Sequence, residues 1–188
     1  NLLRIGKENL EIRDWDNNLV WTYATTANGY LFHHDVEPLP NGNILCIVSE
    51  IFDSAQYTIF GRNPAITDAT FKTDKIIEIQ PVGSNDMNIV WEWRMIDHII
   101  QDYDDTKANY GVVADHPELI DINFNNGEAF NFCHVNAIDY NPVLDQILIS
   151  ARNLSEIYII DHSTSTIEAS GHTGGNFNKG GDILWRWG

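Results

Sequence analysis

The sequence predicts an all-β fold built from consecutive antiparallel sheets. Short runs rich in Ile, Val, Trp and Tyr recur along the chain, and clusters of Asn, Gly, Asp and Pro separate them. One strand pattern also occurs three times. The runs are NLVWTY, NILCIVSEIF, KIIEIQ, NIVWEW, QILISA, EIYIIDH and DILWRW. With 188 residues, the chain has the length of one domain.

Composition and charge narrow the functional class. The formal net charge of -16 argues against nucleic acid or an anionic membrane as a partner, because both repel an acidic surface. No apolar run approaches the roughly 20 residues of a membrane span, so we expect no membrane insertion. The acidic composition fits a periplasmic or secreted location, although the first residues lack the layout of a signal peptide. Cys46 and Cys133 are too few for a disulfide framework and either pair once or stay free.

The repeated strand pattern is a polar residue, two aliphatic residues and Trp, and it begins at Asn18, Asn88 and Asp182. A histidine, an apolar step, a Pro/Asn turn and a buried strand follow the first two copies, in HHDVEPLPNGNILCIVSE and HVNAIDYNPVLDQILISAR. A long period that carries several strands is typical of the blades of a β-propeller. A β-sandwich with similar turns is the alternative.

The segment from Met95 to Gly127 departs from this pattern. It combines a weak helical period with a cluster of acidic residues. We expect a long, acidic surface excursion with one or two short helices, inserted in a single partial propeller domain over residues 1–188.

The two histidine units contain the candidate site. Strand alternation puts His134 and Asn136 on one face, and Arg152 ends the neighbouring strand QILISA. If these strands pair in antiparallel fashion, His134 and Arg152 lie at the same edge. Alignment of the two units makes His34 the partner of His134, whereas matching H-x-D to H-x-N selects His33.

Imidazole, amide and guanidinium groups around one opening favour an anion as the ligand. Arginine offers a planar fork of donors that fits sulfate, phosphate or carboxylate. Histidine can donate a hydrogen bond, transfer a proton near neutral pH or attack as a nucleophile.

At these residues the chain resembles the bacterial arylsulfate sulfotransferase (arylsulfotransferase) family. The matching stretches are HHDVEPLPNGNIL, HVNAIDYNPVLDQILISARNLSEIYIID and EASGHTGGNFNKGGDILWRWG. They span most of the chain from Leu31 onward, except the acidic segment. The middle stretch is the specific one, because its histidine, the Asn two places on and the Arg at the strand end agree in type and spacing.

The resemblance implies a six-bladed β-propeller, of which this chain would supply about half, with its active site in the central channel. It implies transfer of a sulfuryl group from a phenolic sulfate donor to a phenol acceptor through a sulfohistidine, with no cofactor and no metal. Carried over by position, His34, His134, Asn136 and Arg152 would be the catalytic residues, and His33 would bind substrate.

The histidine that carries the sulfuryl group in that family belongs to a motif downstream of RWG. The resemblance therefore puts this nucleophile beyond Gly188, and we expect the chain alone to be inactive. The remaining half of the propeller, on the same polypeptide or on a second chain, would be its partner. His162 and His172 are interpreted as loop residues.

Three other interpretations stay open. They are a non-catalytic propeller that binds a ligand or partner, a metal-dependent hydrolase, and a structural or assembly protein. The hydrolase has the least support, because no H-x-H or H-E-x-x-H spacing occurs and an arginine in the pocket would oppose a cation.

Overall fold

The computed structural model describes residues 1–6, 9–25, 29–124 and 127–188. Over these residues the chain is an all-β protein with few and short helices, as the sequence predicts. Its strands form three antiparallel sheets that follow one another along the chain, and one small parallel sheet.

The strands of each sheet follow chain order from one edge to the other. The first sheet contains β1 Leu2–Ile5, β2 Asn9–Arg13 and β3 Leu19–Ala24. The second contains β4 Leu31–Pro38, β5 Ile44–Asp53, β6 Thr70–Val82 and β7 Asp86–Arg94. The third contains β10 Val135–Asn141, β11 Gln146–Ala151, β12 Glu156–Asp161 and β13 Trp185–Trp187. The parallel pair is β8 Ile99–Ile100 and β9 Ile120–Asp121. Each of the seven apolar runs overlaps a strand, so the prediction of strands there is confirmed.

Helices are short, and the two α-helices lie outside the segment where helix was expected. They are α1 Ser54–Ile59 and α2 Thr166–Ala169. Both begin with a capping box, in which the cap residue and the third helical residue exchange hydrogen bonds, here Asp53 with Gln56 and Ser165 with Glu168. Single 3₁₀ turns occur at Pro64–Ile66, Met95–Asp97, Val113–Asp115 and Arg152–Leu154. Within the described residues, no helix is long and apolar enough to cross a membrane.

The second sheet is buried on both faces, which explains the uninterrupted apolar run in β5. Successive side chains of a strand point to opposite faces. Ile44, Cys46 and Val48 belong to one apolar cluster with Leu10, Trp21 and Tyr23 of the first sheet. Leu45 and Ile47 belong to another with residues of the third sheet that include Val135, Ile138, Ile147, Ile149 and Tyr158. The three sheets therefore stack face to face in chain order.

The Trp of the repeated pattern lies in the last strand of each of the three antiparallel sheets. The indole N–H of Trp21 donates to the backbone oxygen of Asp86, 2.9 Å away in the second sheet. The indole N–H of Trp91 donates to Thr164 Oγ1, 3.2 Å away beyond the third sheet's β12. Trp185 is the equivalent residue of the third sheet, and it is 51% exposed. Each of the first two Trp residues thus ties its sheet to the following part of the chain.

The first strands of the three sheets, β1, β4 and β10, lie side by side. This arrangement brings the two histidine units together at one edge of the stack. Within the part of the chain that the structure describes, the sheets close into neither a barrel nor a propeller.

The segment from Met95 to Gly127 is only partly at the surface. Ile96 and His98 are buried, and Ile100 of β8 is buried where it pairs with β9. Its acidic part around Asp105 is exposed. The segment therefore contributes to the core at its start and again near its end, where Ile120 and Ile122 are buried, and Asn125 and Asn126 lie outside the described residues.

Both cysteines are buried, unpaired thiols. Cys46 packs between the first and second sheets, whereas Cys133 packs between the second and third. Burial raises the pKa of each thiol well above its usual range, so both stay protonated near neutral pH.

Candidate functional site

Two strand irregularities aim His34 and His134 at each other. The pairing of β4 with β5 shifts between Phe32 and Val36, and His34 there has a φ of 60°. His134 has a φ of 50° just before β10, whose own pairing shifts after Val135. Positive φ is uncommon for residues other than glycine, and such irregularities often re-aim a side chain. The result is an Nε2-to-Nε2 distance of 3.1 Å between His34 and His134.

These two rings belong to a longer chain of hydrogen bonds. His33 Nδ1 lies 2.8 Å from His34 Nδ1, and His33 Nε2 lies 2.9 Å from Asp74 Oδ1. At the other end, Asn131 Nδ2 lies 2.7 Å from His134 Nδ1. Five side chains, three from the second sheet and two from the segment just before β10, therefore connect an exposed surface to a buried carboxylate.

Asp74 is held as an anion inside the protein. Its Oδ2 accepts hydrogen bonds from the Val135 backbone N–H at 2.7 Å and from the Cys133 thiol at 3.2 Å. Burial by itself would raise the pKa of Asp74, but the hydrogen bond from His33, together with these donors, lowers it below its usual value. The carboxylate is therefore an acceptor only.

The Asn131 amide, which donates at one end, and Asp74, which accepts at the other, together fix the direction of the whole chain. His33 Nε2 must donate to Asp74, so the Nδ1 of a neutral His33 accepts from His34 Nδ1–H. His34 Nε2 then accepts from His134 Nε2–H, and His134 Nδ1 accepts from the Asn131 amide. All donors point inward, so an added proton can move from the surface toward Asp74.

The two outer histidines are neutral near neutral pH. Partial desolvation lowers the pKa of His34, and the neighbouring His33 and Lys72 lower it further. Partial desolvation also lowers the pKa of His134, with His34 and Arg152 adding to the effect. Asp74 opposes both shifts. Neutral imidazoles can accept a proton, as a general base must.

Arg152 lies at the edge shared by β10 and β11. Its backbone N–H donates to the backbone oxygen of His134 at 3.2 Å, directly beyond the pairing of Val135 with Ala151. The exposed guanidinium donates through Nη1 to Asn153 Oδ1 at 3.0 Å, and it forms no ion pair with a described residue. Most of its donors are therefore available to an anion beside the histidines.

Asn136 lies in β10, two positions after His134. Its buried Oδ1 has no hydrogen-bond partner within the described ranges, which is rare for a buried polar atom. The β10–β11 pairing shifts after Val135, so simple strand alternation does not by itself put Asn136 on the same face as His134.

The other histidines lie elsewhere. His162 follows β12 and bridges Asp145 and Glu78 at 2.7 and 3.0 Å. His172 lies in an exposed bend and contacts Asp182 at 2.7 Å. Neither joins the chain that runs from His134 to Asp74.

Sequence reasoning missed Asp74, Asn131 and Cys133. Asp74 interrupts the apolar alternation of TFKTDKIIEIQ, and a charged residue inside a buried strand is the signal that could have identified it. Asn131 and Cys133 carry no comparable signal, because only tertiary pairing brings them to His134 and Asp74.

A family model described as Arylsulfotransferase (ASST) matches residues 13–171, and this stretch includes every member of the hydrogen-bonded chain together with Arg152. Searches of curated proteins and of solved structures found no match. The family model covers most of the sequence, from the second strand of the first sheet to the loop after α2. The chain therefore belongs to the arylsulfotransferase family.

Proposed function

We propose that this chain supplies the sulfate-binding part of an arylsulfotransferase site. The reaction is transfer of a sulfuryl group from a phenolic sulfate ester to a phenol. The observation that carries the proposal is the 3.1 Å contact between His34 Nε2 in β4 and His134 Nε2 just before β10, beside Arg152, which forms no ion pair with a described residue. Membership of the arylsulfotransferase family supports the reaction class.

Arg152, together with the His134 Nε2–H once substrate takes the place of its contact with His34, suits the charge that develops during transfer. In the transition state of transfer, a sulfuryl group carries negative charge on its equatorial oxygens, as a phosphoryl group does. Donors fixed before the reaction stabilise such charge without reorganising. The Asn136 amide, with its unpartnered buried oxygen, has hydrogen-bonding capacity left for the substrate or acceptor.

His34 is suited to the role of general base for the acceptor phenol. Its Nε2 carries a lone pair that the phenol O–H reaches by taking the place of the His134 N–H, and His34 is the exposed member of the chain. When the phenol oxygen attacks sulfur, its proton moves to His34 Nε2 and the Nδ1 proton of His34 moves on to His33. His33 then carries the positive charge next to the Asp74 carboxylate. His33 and Asp74 are thus positioning residues behind the base.

The covalent carrier is proposed to be a different histidine. His34 Nε2 is assigned to the base, and every other ring nitrogen of His33, His34 and His134 is held in the hydrogen-bonded chain or carries a proton. In the first step a carrier nitrogen bonds to sulfur while the sulfur–oxygen bond to the aryl group breaks, and the phenolate leaves with the electron pair. In the second step the acceptor oxygen bonds to sulfur and the sulfur–nitrogen bond breaks. We assign the carrier to a histidine outside these 188 residues.

The same proposal includes a propeller architecture for the complete protein. The face-to-face stacking of three sheets in chain order supports their being blades of a six-bladed propeller. The adjacent first strands would line its central channel, with the histidines at the mouth. The remaining blades, on the same polypeptide or on a second chain, would complete it.

The test is turnover of 4-nitrophenyl sulfate with phenol as acceptor, measured as release of 4-nitrophenolate by the complete natural protein. His134→Asn removes one site histidine, and His116→Asn is the matched control, because His116 is half-exposed and pairs with Glu118 away from this site. We expect phenol-dependent release that His134→Asn lowers on the order of 10²–10³-fold and His116→Asn leaves unchanged.

Release of 4-nitrophenolate that does not depend on phenol would indicate a sulfatase instead of a sulfotransferase. Binding of the ester without release would favour the non-catalytic alternative. Equal loss in both variants would contradict the placement of the site.

A further inference from the structure

A second cluster of polar side chains lies outside the proposed sulfate site and shares no residue with it. His98, His172 and Asp182 offer ligand atoms that all lie within 4.8 Å of one another. His98 Nδ1 lies 2.9 Å from Asp182 Oδ1, and His172 Nδ1 lies 2.7 Å from the same oxygen. We propose that these three residues form a site for a divalent transition metal of the zinc class.

The hydrogen bonding of His98 is the first argument. Its side chain is fully buried, and its Nε2 lies 2.8 Å from the backbone oxygen of Ala169. A carbonyl oxygen can only accept, so Nε2 carries the proton and the Nδ1 of a neutral ring presents a lone pair to Asp182. Lone pairs of a nitrogen and a carboxylate oxygen repel at 2.9 Å unless a cation lies between them. The cation is either a second proton on a buried ring or a metal ion.

The Nε2–H bond to Ala169 is also the arrangement that metal-binding histidines require. A ligating histidine almost always donates its other ring N–H to a carbonyl or carboxylate, which fixes the tautomer and aims the lone pair. Stacking on Trp93, at an interplanar angle of 2°, holds the His98 ring in this orientation. The buried ligand is therefore fixed in place before any metal arrives.

The second argument is that His172 aims at the same carboxylate oxygen from a different direction. The rings of His98 and His172 meet at an interplanar angle of 89° with their centroids 5.9 Å apart. Two imidazole nitrogens and one carboxylate oxygen around a common point match a zinc site that keeps positions for water or a ligand. An increase of about 0.5 Å in the present nitrogen-to-oxygen distances accommodates bonds of about 2.0–2.2 Å to a central ion.

The surroundings favour a cation and give it access. Asp97 interacts electrostatically with both histidines, and Glu118 interacts with Asp182. His172 is 59% exposed and lines a cleft of about 500 Å³ that also contains Asp97 and His116. Oxygen and imidazole ligands together select zinc-class metals over magnesium, which prefers oxygen alone. In the sequence, Asp182 is 84 residues from His98 and 10 residues from His172, so no local spacing motif indicates this site.

The experiment is a cobalt titration of the chain stripped with a chelator and followed by visible absorption, with zinc then added as competitor. We expect one equivalent of Co²⁺ to bind with ligand-field bands of a four- or five-coordinate nitrogen and oxygen site. We expect Zn²⁺ to displace it and Mg²⁺ to leave it in place. His172→Asn, an exposed change that spares the core, should weaken binding at least about tenfold. His116→Asn, in the same cleft, should bind as the unchanged chain does.

Circular dichroism checks that each variant is folded. The absence of saturable binding at micromolar Co²⁺ would overturn the proposal, and so would unchanged affinity in His172→Asn or an equal loss in His116→Asn. In those cases His98 and Asp182 form a buried imidazolium–carboxylate pair. None of these outcomes bears on sulfuryl transfer, because the readout does not depend on turnover.

Discussion

His34 Nε2 and His134 Nε2 lie 3.1 Å apart although the residues are 100 positions apart in the sequence. The contact is the midpoint of a hydrogen-bonded chain that starts at the Asn131 amide and ends at the buried Asp74 carboxylate. Because the Asn131 amide donates at one end and Asp74 can only accept at the other, every donor in the chain points toward Asp74.

The direction of this chain predicts one tautomer for each ring. We expect His33 and His134 to carry their proton on Nε2 and His34 to carry it on Nδ1 near neutral pH. Long-range ¹H–¹⁵N correlation spectra of the histidine rings distinguish the two nitrogens directly. A proton on Nε2 of His34 would contradict the chain, because two N–H groups would then face each other.

Substitution of Asp74 tests the electrostatic coupling. The Asp74 carboxylate raises the pKa of both His34 and His134. Asp74→Asn should therefore lower both pKa values, and the acid limb of a pH–rate profile should move to lower pH because the base stays neutral further into acid. NMR titration and the profile both report this shift. Asp105→Asn, an exposed change in the acidic segment, is the control, and a rise of the His34 pKa in Asp74→Asn would refute the coupling.

Asp74→Asn should also destabilise the fold. The change weakens the acceptor of the Val135 N–H and of the Cys133 thiol inside the core, so the free energy of unfolding should fall by about 1–3 kcal/mol. Because the folded pKa of Asp74 is lowered, its contribution is present above the unfolded pKa of about 3.9 and is lost as the pH falls through the folded pKa.

Arg152 is expected to matter for turnover and not for stability. It forms no ion pair with a described residue, so Arg152→Lys should change the free energy of unfolding by less than about 0.5 kcal/mol. A point charge cannot replace a planar fork of donors, and turnover should fall on the order of 10²–10³-fold. Arg94→Lys is the structural counterpart, because Arg94 pairs with Glu50 at 3.0 Å. Full activity of Arg152→Lys would remove Arg152 from the sulfate-binding role.

The sequence predicts much of this fold and only part of the site. Strands such as β5 and β11 can be predicted from the sequence because they are rich in β-branched residues and lie between turn signals, a pattern that favours a strand over a helix. Helix α1 was missed although Asp53 and Gln56 have the spacing of a capping box, because the apolar run before it extends the strand pattern.

The positions of the His34 and His134 rings were harder to predict from the sequence. The left-handed conformations of His34 and His134 follow from tertiary packing rather than from local preference, so alternation alone could not aim the rings. Asp74 pairs with His33 across 41 residues, a separation that no local pattern encodes. Sequence reasoning therefore named the three histidines of the hydrogen-bonded chain and missed the carboxylate behind them.

His162 is expected to stabilise the contact between the second and third sheets. It bridges Glu78 of β6 and Asp145, which lies between β10 and β11. Burial lowers its pKa, but the two carboxylates raise it more, so the net shift is upward. A raised folded pKa stabilises the protein fully below about pH 6.5, and this stabilisation is lost as the pH rises through the folded pKa.

His162→Gln should therefore lower the free energy of unfolding by about 1–3 kcal/mol at pH 6 and by less at pH 9. Urea denaturation at several pH values measures the difference. His116→Gln is the control, because its half-exposed pair with Glu118 should contribute less than about 0.5 kcal/mol. A cost that grows with pH would contradict the bridge.

The most direct measurement is mass spectrometry of the complete natural protein after it is trapped with a phenolic sulfate donor and no acceptor. His34 Nε2 is assigned to the base, and the other ring nitrogens of His33, His34 and His134 are held in the chain to Asp74 or carry a proton, so none of these rings should carry the sulfuryl group. The predicted result is a single sulfated histidine outside these 188 residues, which loses the group when phenol is added. A sulfuryl group on His34 or His134 would contradict the account, because the ring proposed to act as base or donor would then be the nucleophile.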